Sequence, residues 1–238
     1  MSAYFQTTRS PRYSLLFALP LLVLYEALAF LLSHSAIAGM RNGADVLLKS
    51  LFVSFGGRSG LLVFGALLLG TGAALVWRDR KAGGALQPRW FLWMGIESLG
   101  YALMFGLVAG TLTQLLLHVP RLAAGPFERL GLATQLMISL GAGIYEELLF
   151  RVMLVGSLAW VARRALGLSV AWAGVAAAVI GALVFSIFHY IGPYGDPFRV
   201  PSFVFRAVAG LLFSGLYLMR GFGITAWTHA LYDVLLAL

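Results

Sequence analysis

Apolar runs about as long as a bilayer is thick follow one another down this chain, near residues 13–33, 60–77, 90–117, 131–161, 169–190, 202–220 and 222–238. A helix needs about 20 residues to cross ~30 Å of hydrocarbon. Short charged or Pro/Gly-bearing loops separate the runs. Of the 238 residues, 61% are hydrophobic and 11% charged, against about a quarter charged in soluble domains. The expected fold is therefore all-α: a polytopic transmembrane helical bundle of about seven spans, forming one integral membrane domain over residues 1–238. The stretch "ADVLLKSLFVSF" at 44–55 is too short and too polar to span easily and reads as an interfacial or re-entrant segment. The first run has a basic flank, Arg9 and Arg12, but lacks a small-residue cleavage site, so it reads as a retained helix. With no cysteine in the chain, disulfides and thiolate metal sites are excluded.

The net charge of +8 belongs to loops facing a lipid bilayer rather than to nucleic-acid binding. One side of the expected bundle collects Arg9, Arg12, Arg78, Arg80, Lys81, Arg89, Arg163, Arg164 and Arg220. The other collects Arg41, Lys49, Arg58, Arg121, Arg129 and Arg199. This bias places the N-terminus in the cytoplasm and suits a prokaryotic inner or plasma membrane. Trp77, Trp90, Trp93, Trp160 and Trp172 fall near run ends, where interfacial anchors belong.

Ionisable residues inside the runs are costly, about 2.5–3.5 kcal/mol at a helix centre on an insertion scale, and mark candidate functional sites. They are Glu26, Glu97, Glu146, Glu147, Arg151, His189, Arg206, His229 and Asp233. Glu26 and Glu97 read as structural acids, with Arg206 as a partner for either. Six of the others form three short clusters in the second half. In "EELLFR", Glu147 and Arg151 are four apart and share a helical face. Glu146 points elsewhere, free to exchange protons in a cavity. "FSIFH" ends in His189. "HALYD" sets Asp233 four residues after His229, where a carboxylate can orient an imidazole. Taken singly, each cluster reads as readily as a structural polar pair. Three clusters on three helices together supply a base, an orienting group and hydrogen-bond donors, the parts needed to add water to an amide.

These three motifs, in this order and spacing, resemble those of the CAAX protease and bacteriocin-processing family, intramembrane endopeptidases of the glutamic type. The resemblance covers roughly residues 130–238; residues 1–129 show hydrophobic helices without a motif. It implies that Glu146 activates a water, that His189 holds the same water, and that His229 and Asp233 stabilise the oxyanion, with Glu147 and Arg151 in support. Where the family's CAAX endopeptidases carry Asn, this chain has Asp233. An ionised Asp cannot donate a hydrogen bond, so its expected role is to orient His229. In the orientation given above His189 falls near the outer end of its run, which suits a membrane-associated or exported protein as substrate; a prenylated CAAX tail would need a site facing the cytoplasm. The resemblance implies no cofactor.

Three other readings draw on the same residues. Two His and a carboxylate are a plausible zinc set, although the sequence lacks a His-Glu-x-x-His helix. Intramembrane acids and histidines also build proton-coupled transporters, but no paired halves are visible. A non-catalytic membrane scaffold is the third.

Overall fold

The computed structural model describes residues 3–33, 41–82, 84–118, 131–192 and 195–238. Among the described residues the fold is entirely helical: α1 (Ala3–Thr8), α2 (Pro11–Leu32), α3 (Gly43–Gly56), α4 (Arg58–Ala82), α5 (Pro88–Leu117), α6 (Leu132–Gly141), a π-helical segment (Ala142–Val155), α7 (Gly156–Ala165), α8 (Val170–Phe188), α9 (Val200–Arg220) and α10 (Phe222–Ala237). Local chemistry sets several starts. Proline occupies the first turn of α2, α5 and α9, where its missing N–H costs no bond. Asn42 and Ser169 cap α3 and α8 by accepting from the backbone N–H of Ala44 and Trp172.

Five stretches are long and apolar enough to cross a membrane: Pro11–Leu32, Gly43–Arg80, Pro88–Leu117, Val170–Phe188 and Val200–Arg220. The chain is an integral membrane protein. The two further expected spans differ from these for physical reasons. Residues 131–161 fall in the rod formed by α6, the π segment and α7, which carries three ionisable side chains in its middle. Residues 222–238 form α10, whose 16 residues reach only about 24 Å. The stretch at 44–55 is helical and belongs to α3. It does not run straight into α4, because Gly57 adopts φ 56°, a left-handed conformation suited to glycine. The bend brings the rings of Phe52 and Phe64 to 5.3 Å, whereas 12 residues of straight helix would separate them by about 18 Å.

The bundle is apolar outside and polar within. Leu62, Leu103, Leu115 and Val175 are exposed, while Asp45, Glu147 and Arg151 are buried. Burial of ions beneath a leucine-rich exterior suits a solvent of lipid. Trp77, Trp93, Trp160 and Trp172 are also exposed, as anchors require. Arg121 and Arg129, assigned above to the second basic side, lie outside the described residues, as do residues 34–40 and 193–194.

α10 is the central element, packed against α2, α5, α6, the π segment and α9. Its approach to the π segment needs Gly143: a Cβ there would stand 2.5 Å from the Ala226 carbonyl oxygen and 2.7 Å from Ala230 Cβ. Gly143→Ala is expected to force the two helices apart, at about 1–3 kcal/mol. Thermal unfolding in detergent would register this as a lowered midpoint; an unchanged midpoint would show that the contact can relax freely.

The acids outside the motifs are structural, as expected, but their partners differ. Glu26 accepts from Arg41 at 2.6 Å, Lys49 at 2.8 Å and the Tyr145 hydroxyl at 2.8 Å. Glu97 accepts from Arg220 at 2.6 and 2.7 Å and from Tyr4 at 2.6 Å. Arg206 serves neither. It pairs with Asp196 in the loop before α9, ten residues away, where a short connection needs no helix-to-helix reach.

Candidate active site

The π segment carries the first motif. Its backbone bonds run i→i+5 rather than i→i+4, so the expectation of plain α geometry here is corrected. Such turns occur frequently at functional sites, and this one is 14 residues long. Glu147 and Arg151 still meet: Arg151 Nε stands 3.2 Å from Glu147 Oε2, with both side chains fully buried. Among the described residues the guanidinium has no hydrogen-bond partner of good geometry. Instead its carbon lies 4.4 Å from the centre of the Phe185 ring and 5.3 Å from that of Phe213. Cation–π attraction is strongest where water is excluded, and here it replaces the missing donors' partners.

Glu147 has a second bond. His229 Nδ1 lies 2.7 Å from Glu147 Oε1. Glu147 is ion-paired to Arg151, and a carboxylate only accepts, so His229 carries its proton on Nδ1. Asp233 stands 3.6 Å from the other nitrogen, Nε2, beyond direct hydrogen-bond range. The bond that fixes the imidazole is therefore made by Glu147, not by Asp233 as expected. The spacing of four residues along α10 suggested the wrong partner because the closer acid comes from another helix. The His229 ring also stacks on Phe213, 4.3 Å between centres and 23° from parallel.

Glu146 faces away from this triad, as the sequence suggested. Its Oε2 is 3.9 Å from His189 Nε2, and its Oε1 accepts from Asn42 Nδ2 at 2.8 Å. His189 sits at the C-terminal end of α8, with Nδ1 2.8 Å from the Phe185 carbonyl oxygen. A carbonyl only accepts, so the proton lies on Nδ1 and Nε2 presents its lone pair to Glu146. The gap between the two bases is too wide for a bond and narrow enough for one water to touch both. Phe185 organises the cluster: its ring lies against Arg151, His189 and Phe150.

The structure thus brings together Glu146, Glu147, Arg151, His189, His229 and Asp233 from three helical stretches. Asn42 was not anticipated. It comes from the first half of the chain, 104 residues from Glu146, and its only local signal is that of a helix cap. Among the described residues, no group of three or more His, Asp or Glu has an arrangement that could hold a metal ion.

An apolar-walled membrane bundle with a carboxylate and an imidazole flanking a water-sized gap, backed by a buried Glu–Arg–His cluster, belongs to the class of intramembrane hydrolases. Residues 128–235 match the family described as type II CAAX prenyl endopeptidase Rce1-like. That segment, a little under half of the chain, is an Rce1-like CAAX endopeptidase domain, and the protein is an intramembrane protease of the glutamic type. No curated protein and no solved structure matches the chain.

Proposed function

We propose that the protein hydrolyses a peptide bond of a membrane-associated or exported protein, using a water held between Glu146 and His189. The observation that carries this reading is the 3.9 Å separation of Glu146 Oε2 and His189 Nε2, with both atoms free to accept. A water in that gap donates one hydrogen to each, which leaves an oxygen lone pair for the scissile carbonyl. As its oxygen bonds to the carbonyl carbon, the water's proton passes to Glu146. Glu146 then delivers it to the leaving amide nitrogen as the C–N bond breaks. His229, as imidazolium, donates through Nε2 to the oxyanion. Asp233, 3.6 Å from that nitrogen, stays beyond direct hydrogen-bond range and leaves its single N–H to the oxyanion.

The bundle's geometry supports a site facing the non-cytoplasmic side. At one end the Arg12 backbone N–H donates to Asp79, its guanidinium donates to the Gly84 carbonyl, and Arg220 donates to the Phe5 carbonyl. This is the end rich in basic residues. His189, at the C-terminal end of α8, and Asn42, beside Tyr25 in the second half of α2, lie toward the other end, about 20–30 Å away. With the basic end in the cytoplasm, substrates are exported or anchored proteins cut near the outer face. In this arrangement seven spans cross the membrane, and residues 1–129 frame the motif-bearing helices of 130–238.

The test is cleavage of a library of membrane-anchored peptides by purified protein in detergent, with and without a strong zinc chelator. The expected result is cleavage that survives the chelator. Activity lost to the chelator and restored by zinc would replace this reading with a metalloprotease.

A further inference from the structure

The residue that grips Glu146 comes from outside the protease domain. Asn42 caps α3, its Oδ1 accepting from the Ala44 backbone N–H at 2.9 Å. That bond settles which end of the amide is which. With the oxygen committed to the cap, Nδ2 must face the other way, and there it donates to Glu146 Oε1 at 2.8 Å. The side chain is buried, 4% exposed, so water does not compete for the bond.

Asn42 is itself held on all sides. Its backbone N–H donates to the Tyr25 hydroxyl at 3.3 Å, which in turn donates to Asp45 at 2.7 Å. Asp45 is fully buried and ion-paired to Arg41 and Lys49. Gly141, at the end of α6, lets the π segment come this close: a Cβ there would lie 2.6 Å from Tyr25 Cε2 and 2.8 Å from Asn42 Cβ. This network of ions and tyrosines has no part in the water chemistry. Its geometric result is a rigid amide aimed at one oxygen of the base.

We propose that Asn42 is a positioning residue of the protease: its amide holds Glu146 Oε1 so that Oε2 faces His189 across the water gap. The first half of the chain then completes the active site as well as framing it. A carboxylate free to rotate would spend much of its time with neither oxygen facing His189. Misplacing a catalytic group by about 1 Å can cost 100-fold.

The inference rests on Glu146 as the base, so Glu146→Gln is measured in parallel. Asn42→Ser keeps a side-chain oxygen that can cap Ala44. It has no amide to donate, and its hydroxyl is too short to reach Glu146 Oε1. Purified protein is compared for cleavage kinetics and thermal unfolding, beside Asn42→Ala, which loses cap and amide together. The expected result is that Asn42→Ser unfolds near the parent temperature, with kcat down about 100-fold and KM little changed. Asn42→Ala is expected to be both slow and less stable. Parental kcat in Asn42→Ser, with Glu146→Gln inactive, would overturn the assignment and leave Asn42 a helix cap. A kcat that merely follows the loss of stability across the two variants would overturn it too. Full activity in Glu146→Gln would overturn the proposed base and this inference with it.

Discussion

Glu146→Gln is expected to lower the rate of peptide cleavage by about 10²–10⁴-fold, the range for removal of a general acid–base group, while the protein still folds. Gln has the same shape, and its carbonyl oxygen can still accept from the Asn42 amide. It cannot take the proton of the attacking water or return it to the leaving nitrogen. The change therefore removes chemistry and spares packing. Single-turnover cleavage with a library-derived substrate, beside thermal unfolding in the same detergent, would measure both. Activity within a few-fold of the parent would rule out Glu146 as the base, because among the described residues no second carboxylate faces His189 in the same way: Glu147 is engaged by Arg151 and His229.

Arg151→Ala is expected to act on stability, by about 3–5 kcal/mol, the cost of stranding one member of a buried ion pair. The Glu147 carboxylate, fully buried, would keep His229 as its one partner among the described residues. The face of Phe185 that stacks on the guanidinium would meet a void. The double variant Glu147→Gln/Arg151→Ala removes the stranded charge and is expected to recover part of the loss, so a double-mutant cycle separates the charge from the cavity. Equilibrium unfolding in mixed micelles is the appropriate measurement. A single-variant loss below about 1 kcal/mol would mean that the pair is hydrated and does not organise the core. Because Glu147 also fixes His229, the single variant should lose activity as well, through imidazole orientation.

Much of the motif was readable one residue at a time. Glu146, Glu147, Arg151, His189, His229 and Asp233 stand out because lipid tolerates few charges, so each ionisable group in an apolar run marks the interior of the bundle. The pairing of Glu147 with Arg151 follows from helical spacing and survives the change to π geometry, since positions four apart remain near one face. Helical spacing failed for His229. Asp233 is its neighbour in sequence, but Glu147 is nearer in space, and nothing in a one-dimensional pattern ranks partners on different helices. The same failure explains Arg206, whose partner Asp196 sits in a loop rather than in one of the acid-bearing helices.

The sequence by itself determined the environment and the reagents: an apolar exterior, helices long enough to cross a membrane, and three ordered clusters of acid, base and cation. Those properties are additive along the chain, which is why composition and spacing report them. Tertiary structure alone decided how the reagents are aimed. The π-helical backbone, the Glu147–His229 bond, the aromatic faces on Arg151 and the approach of Asn42 across 104 residues all depend on which surfaces meet. Gly141 and Gly143 permit those meetings through side chains they lack, and such permission becomes visible only when the opposing helix is in place.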